Sequence, residues 1–248
     1  MSGVYTVVSG AVAQERRLAV ISANLANAMT AGYKAHKPIF EAVLSSSVIE
    51  VDQADSTFVG VYDTHIDFAE GSLVQTGSKL DLAIQGEGFF VVSTPQGTRY
   101  TRNGQFTIDQ NKRLVTHGGA VVQGEAGPIE IAADGKSVTV ESDGSVYLTE
   151  EMSPGNRVLV GRLRIVRFAD TSFLHPTGQS LFANVNPEMR ELPSEHYTVS
   201  QGYYEASNVE VVKEMLAMIA CLRAYEAYSK VQQSYGDMNS KLMEVARV

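Results

Sequence analysis

The residue types that could do chemistry are few, and their spacing argues against an active site. Five histidines stand at positions 36, 65, 117, 175 and 196. None forms an HExxH string or an i,i+4 pair, so no metal site is expected. Gly86-Glu-Gly88 resembles the start of a dinucleotide fingerprint, but the third glycine is missing. A strand-like Phe-Phe-Val-Val follows, and Glu87 stands where a phosphate would sit, so the pattern is read as a tight turn. Asp134-Gly and Asp143-Gly are too isolated for a calcium loop and are read as turns. No GxSxG is present and no cysteine–histidine pairing can be argued. The reading is therefore no catalytic residue, no metal and no cofactor or small-molecule substrate.

Charge narrows the partners. The chain of 248 residues carries a formal net charge of −8, which disfavours nucleic acid, since phosphate neutralisation needs a basic face. Arg157, Arg162, Arg164 and Arg167 make one basic stretch. Arg162 and Arg164 share a strand face opposite Leu163 and Ile165; it reads as a solvated face or, in an assembly, as an electrostatic contact to the acidic connector of a neighbouring subunit. Glu50, Asp52, Asp55, Asp63, Asp67 and Glu70 make the connector acidic, which reads as a solvated face by default and as a docking surface for a basic neighbour in the sharper reading. Cys221 is the only cysteine and reads as a small helix-packing residue. No apolar run is long enough for a membrane span, and the N-terminus lacks the pattern of a cleaved signal peptide.

The elements that position these residues begin and end with apolar stripes at helical spacing. Val7, Ala11, Leu18, Ile21, Leu25 and Ala28 fall on one stripe, with Gln14 at its polar step. Val211, Met215, Met218, Leu222 and Tyr225 form a second, which resumes one residue out of phase at Val231, Tyr235, Met238, Leu242 and Val245. Such stripes bury themselves against other helices. The first helix is expected from about Val4 to Asn27, stopped by Asn27 and Gly32. The second is expected to open at Ser207-Asn208, with Glu210 and Glu214 near its positive end.

Between them the period changes to that of strands. Leu82-Ala-Ile, Phe89-Phe-Val-Val, Arg99-Tyr-Thr-Arg, Gln105-Phe-Thr-Ile and Arg113-Leu-Val-Thr come first, the last two joined by a hairpin at Asp109–Lys112. Ile129-Glu-Ile, Ser137–Val140, Ser145–Leu148, Val158–Phe168, Ser180–Val185 and Tyr197–Tyr204 follow. The expected fold class is α+β: long coiled-coil-like N- and C-terminal helices flanking an inserted all-β domain, an irregular sandwich or barrel. The expected divisions are 1–33 (helix), 34–79 (connector), 80–197 (β-domain) and 198–248 (return strand and helix).

Several strings resemble one family. Ala23-Asn-Leu-Ala-Asn-Ala-Met-Thr-Ala-Gly-Tyr-Lys34 is similar to the N-terminal signature of bacterial flagellar rod and hook proteins. Leu80–Val92, Tyr100-Thr-Arg-Asn-Gly-Gln-Phe106 and Leu114-Val-Thr116 resemble the same family's β-domain, in the expected order. Gln201–Glu210 and Arg223-Ala-Tyr-Glu-Ala-Tyr228 resemble its C-terminal signature. Two departures occur at Ala23-Asn24 and Ala28-Met29. The short connector before Gly71 and the Gly127-Pro-Ile-Glu-Ile131 segment look most like the proximal-rod branch, with the distal-rod branch second.

The resemblance implies a structural subunit of the flagellar drive shaft, exported unfolded through the flagellar type III apparatus without a cleaved signal. It implies a place in the basal-body rod, in the periplasmic space, and partners among copies of itself and other rod proteins. It also implies an axial core built from the terminal helices. Val7, Leu18, Ile21, Leu25, Asn27, Val211, Met215, Met218, Leu222, Tyr225, Tyr235, Met238 and Leu242 are the expected subunit-interface residues. A coiled-coil adaptor unrelated to flagella is the other reading of the same stripes.

Overall fold

The computed structural model describes residues 2–44, 57–132, 136–150 and 153–245. The chain divides into two compact units with interleaved segments. Unit 1 holds Met1–Ala28, Ala35–Asp67 and Val209–Val248; unit 2 holds Met29–Lys34 and Phe68–Asn208.

Unit 1 contains helix α1 (Ser2–Ala26), strands β1 (His36–Leu44) and β2 (Thr57–Ile66), and helix α2 (Val211–Val245). The strands pair antiparallel, His36 opposite Ile66 and Leu44 opposite Thr57, with a bulge at Ile39/Phe40. An isolated two-stranded ribbon is marginal in water. This one packs along α1, which also packs along α2. The acidic residues Glu50, Asp52 and Asp55 lie outside the described residues.

Unit 2 is all strand apart from a single 3₁₀ turn among the described residues. Strands β3 (Leu73–Gln75), β4 (Leu82–Gly86), β5 (Phe89–Thr94) and β6 (Gly97–Thr101) lead into it. The main sheet has ten strands, with β5 near its middle between β6, Val121–Gly124 and Ile165–Arg167. That position explains why Phe89, Phe90, Val91 and Val92 are all buried: a strand covered on both faces reads as a continuous apolar run. A meander of Lys136–Val140, Ser145–Glu150 and Ser153–Arg162 forms a second sheet. The returning chain closes two more pairings, Tyr197–Gln201 on β4 and Tyr203–Glu205 on β3. Phe90, Phe106, Leu82, Leu114, Val122 and Ile131 are among the buried residues of the core.

The expected fold class needs correction. The described residues hold two α-helices and nineteen strands in five sheets, so β-structure dominates. The helices do not make coiled-coil flanks around one inserted β-domain. The α1–α2 seam runs through small residues and takes in only part of the heptad stripes. An added Cβ at Gly10 would lie 2.8 Å from ring carbons of Tyr228, and the Cys221 thiol donates to the Gln14 carbonyl at 3.1 Å. Close approach through Gly, Ala and Cys rotates both helices away from the register that the Leu and Met spacing favours. Strands also occupy the region read as a connector.

Local readings fare unevenly. The hairpin at Asp109–Lys112 is present, joining Phe106–Ile108 to Leu114–Thr116. The Arg113 N–H donates to Asp109 Oδ1 at 2.8 Å, and the guanidinium reaches Oδ2. The backbone bond from Arg113 is the main cause holding the Asp109 carboxyl below its usual range. A depressed carboxylate contributes stability above its unfolded value, lost as pH falls through the lower folded value. An NMR titration is therefore expected to show Asp109 titrating below the value for a free Asp, with hairpin amides shifting together. Arg113→Ala removes the guanidinium but keeps the backbone donor, so the titration is expected to return only a small part of the way toward the free value.

Asp143-Gly144 is a turn as read: Asp143 Oδ1 accepts from Ser145 N at 3.0 Å. Asp134-Gly lies outside the described residues. Gly86-Glu-Gly88 is the turn between β4 and β5, with Gly86 N donating to Glu70 Oε1 at 2.7 Å. Ile129–Ile131 makes one bridge, Arg113 to Glu130, and is not a strand. Helix α2 starts at Val211, later than Ser207-Asn208, its opening bond running from Glu214 N to the Glu210 carbonyl.

Candidate functional site: the terminal helices and a buried ion cluster

The residues expected to pack the helices separate into two faces. On α1 the buried positions are Gly10, Ala13, Ile21 and Asn24. Of the expected stripe, Ile21 is buried, while Val7, Leu18, Leu25 and Asn27 are half-buried. Asn27 does not adopt a positive φ; its side-chain amide donates to the Ala23 carbonyl at 2.8 Å and caps the helix that way.

On α2 the inward residues are Cys221, fully buried, with Met218, Tyr228 and Tyr235 half-buried. Burial pushes the Cys221 thiol pKa up, in keeping with a packing role. The expected α2 stripe mostly faces solvent. Val211, Met215, Leu222, Tyr225 and Met238 are exposed, and beside them Val212 is 72% and Leu216 64% exposed. The Leu242 side chain lies outside the described set. The α2 helix spans 35 residues, about 50 Å, so this apolar surface is long. Monomeric proteins rarely expose apolar surface on that scale.

Asn24 organises unit 1. Its amide donates to the His36 carbonyl at 2.9 Å and to Glu214 Oε1 at 3.1 Å, and its Oδ1 accepts from His36 N at 2.9 Å. One buried side chain thus ties α1, the start of β1 and the first turn of α2. Desolvation lowers the His36 pKa, which favours the neutral ring.

Arg162 and Arg164 remain exposed and are already engaged within unit 2. Arg162 Nε donates to the Asp143 carbonyl at 3.0 Å, and its guanidinium lies 3.7 Å from Glu125. Arg164 pairs with Glu191, whose other oxygen accepts from Tyr100 OH at 2.6 Å. That bond, with burial, pushes the Tyr100 phenol pKa up, desolvation being the larger cause. The residues line an open groove of about 370 Å³ with Ser194 and Tyr197. Leu163 and Ile165 are buried and also belong to the groove's lining. No group of three or more metal-binding side chains occurs among the described residues. No described helix is long and apolar enough to cross a membrane.

A cluster that was not read from the sequence joins three of its motifs inside unit 2. Lys34 Nζ donates to Glu205 Oε1 and to the Ala69 carbonyl, both at 2.6 Å, and its side chain is 0% exposed. Glu205 Oε1 also accepts from Gly71 N at 2.8 Å, and Oε2 lies 3.4 Å from Arg102. Arg102 donates to the Ile84 and Gly86 carbonyls at 3.2 and 2.7 Å, and its guanidinium lies 5.4 Å from the centre of the Phe89 ring. Desolvation lowers the Lys34 pKa, opposed by the Glu205 charge. Gly32 makes the approach possible. Its φ is +64°, and a Cβ there would lie 2.3 Å from Asn103 N. The available signal was the charged residue in each motif, Lys34, Arg102 and Glu205, but nothing in the spacing says they meet.

Comparison with known proteins agrees with this arrangement. Residues 4–34 match the family described as flagella basal body rod protein. Residues 83–148 match the flagellar hook protein FlgE/F/G D1 domain, and residues 200–245 the flagellar basal body rod FlgEFG protein C-terminal family. The chain is 35% identical to the flagellar basal-body rod protein FlgG of Buchnera aphidicola subsp. Baizongia pistaciae, an alignment covering 94% of this chain and 95% of that one. It is 33% identical to FlgF of Caulobacter vibrioides, covering 98% and 97%, and 29% identical to FlgG of Bacillus subtilis over the full length of both. The matched segments contain α1, α2 and the residues that meet at Lys34 and Glu205, and the similarity runs through nearly the whole chain. This chain therefore belongs to the flagellar basal-body rod protein family, structural components of the flagellum basal body that are not enzymes.

Proposed function

We propose that this subunit polymerises through its terminal helices into the torque-transmitting rod, next to other copies of itself and to other rod proteins. The observation that carries this is the outward apolar face of α2. Its own chain is held by Cys221, Met218 and Tyr228, which leaves Val211, Met215, Leu222, Tyr225 and Met238 for neighbours. Close-packed helix seams are stiff, which suits a shaft that must turn without slipping. The exposed heads of Arg162 and Arg164 add an electrostatic contact to an acidic neighbouring subunit.

The test is a photo-crosslinking residue at Ile219, on the same outward side of α2, in motile cells. Crosslinks to rod proteins or to further copies are expected from purified basal bodies. Completed rods without such crosslinks would overturn the reading.

We assign the subunit to the proximal rod, FlgF-like, on the short connector before Gly71 and the Gly127-Pro-Ile-Glu-Ile131 segment. The distal rod is the second reading, favoured by FlgG-named relatives at 35% and 33% identity beside the 33% of the FlgF relative. Image averaging of basal bodies with this subunit labelled separates the two. Export through the flagellar type III apparatus, into the periplasmic space, would keep α1 in the mature chain. The buried Ile21 and Asn24 support that, because unit 1 needs them.

A further inference from the structure

The three charged residues of the buried cluster lie on segments far apart in the chain. Lys34 and Glu205 are separated by 171 positions, Arg102 and Glu205 by 103. Among the described residues Glu205 is the anion that pairs directly with both cations, while Glu70 adds a smaller attraction to Lys34. The Glu205 backbone also takes part, since its carbonyl accepts from Gly32 N at 2.8 Å. One residue thus gathers residues 32–34, the Ala69–Gly71 segment and Arg102 onto the strand Tyr203–Glu205, which pairs with β3.

We propose that Glu205 acts as a closure lock, so that this edge of unit 2 closes only when the returning strand Tyr203–Glu205 arrives. Without Glu205, Lys34 would be a buried ammonium left with one hydrogen bond, to the Ala69 carbonyl, and with only the weaker attraction of Glu70 to offset the nearby Arg102 guanidinium. A buried charge stripped of its partner is strongly unfavourable, whereas the complete set is tolerated. Arg102 can wait, because the Ile84 and Gly86 carbonyls already serve it. Lys34 cannot be buried early. In a chain made from its N-terminus, all of β3 to β6 exists before residue 205, and this edge stays open until the end. Long loops close at little extra entropic cost, so the delay comes from the missing counter-charge and not from chain length. The lock is internal to unit 2 and does not depend on how the rod assembles.

Pulse-labelled hydrogen exchange during refolding of the full chain tests this. The Gly32 and Gly71 amides are expected to gain protection in the same phase as Tyr203–Glu205 pairing. In Glu205→Gln, native-state exchange at Gly32 and Gly71 is expected to be roughly a hundredfold faster. The pair Lys34→Met/Glu205→Gln should recover most of that loss, because no buried ammonium remains. Protection of Gly32 and Gly71 before Tyr203–Glu205 would overturn the lock. So would unchanged exchange in Glu205→Gln, or a double variant no better than the single one. Should the variants fail to refold, the order of protection in the unaltered chain still decides.

Discussion

Leu222→Asp is expected to abolish motility while leaving the subunit folded. The Leu222 side chain is 43% exposed on the outward face of α2, so within the chain the change removes little packing. Surface changes of that kind usually alter stability by less than about 0.5 kcal/mol. In an assembled seam the same leucine would be fully covered, and covering it is worth roughly 1.5–3 kcal/mol per subunit. A carboxylate there adds the further cost of burying an unpaired charge, repeated at every copy. Thermal unfolding of the purified variant should match the unaltered protein, while swimming and completed rods should both be lost. Motile cells carrying only Leu222→Asp would refute the seam. Leu25→Asp is a less clean probe, because Leu25 is half-buried and the change perturbs unit 1 as well.

Phe90→Ala is expected to produce the largest loss of stability among single core changes. Phe90 is 0% exposed at the centre of the main sheet, and its ring meets Phe106 edge-on at 5.2 Å. Truncating a buried phenylalanine removes its transfer energy and leaves a cavity, together about 3–5 kcal/mol. For a domain of this size that lowers the unfolding midpoint by on the order of 10 °C. Denaturant melts should show a reduced midpoint with an unchanged slope. A loss below about 1 kcal/mol would mean that the site collapses and that the core is not packed as described.

Much of the strand pattern was legible because it is local. The continuous Phe89–Val92 run and the Asp109–Lys112 turn carry their signal within a few residues. The hairpin of β1 and β2 was not legible. Its side chains lack clean alternation, and the ribbon is stable because α1 covers it, which no window on strand residues reports. Helix ends shifted for a similar reason. Asn208 suits an N-cap, yet its amide docks on the Ala69 carbonyl and the first turn of α2 closes on the Glu210 carbonyl.

By itself, the sequence determined that the chain begins and ends in apolar helical stripes, that strands lie between, and that its motifs are those of the rod family. Periodicity and short motifs carry those facts, because they depend on neighbours along the chain. Only the tertiary structure decided which side of each helix is spent inside the subunit. The seam follows where Gly10 and Cys221 let backbones approach, and hydrophobic spacing does not encode that distance. It also decided that Lys34, Arg102 and Glu205 meet in one buried cluster. Charge pairing acts through space and leaves no period in the sequence, so the link between the three motifs appears only when the chain closes.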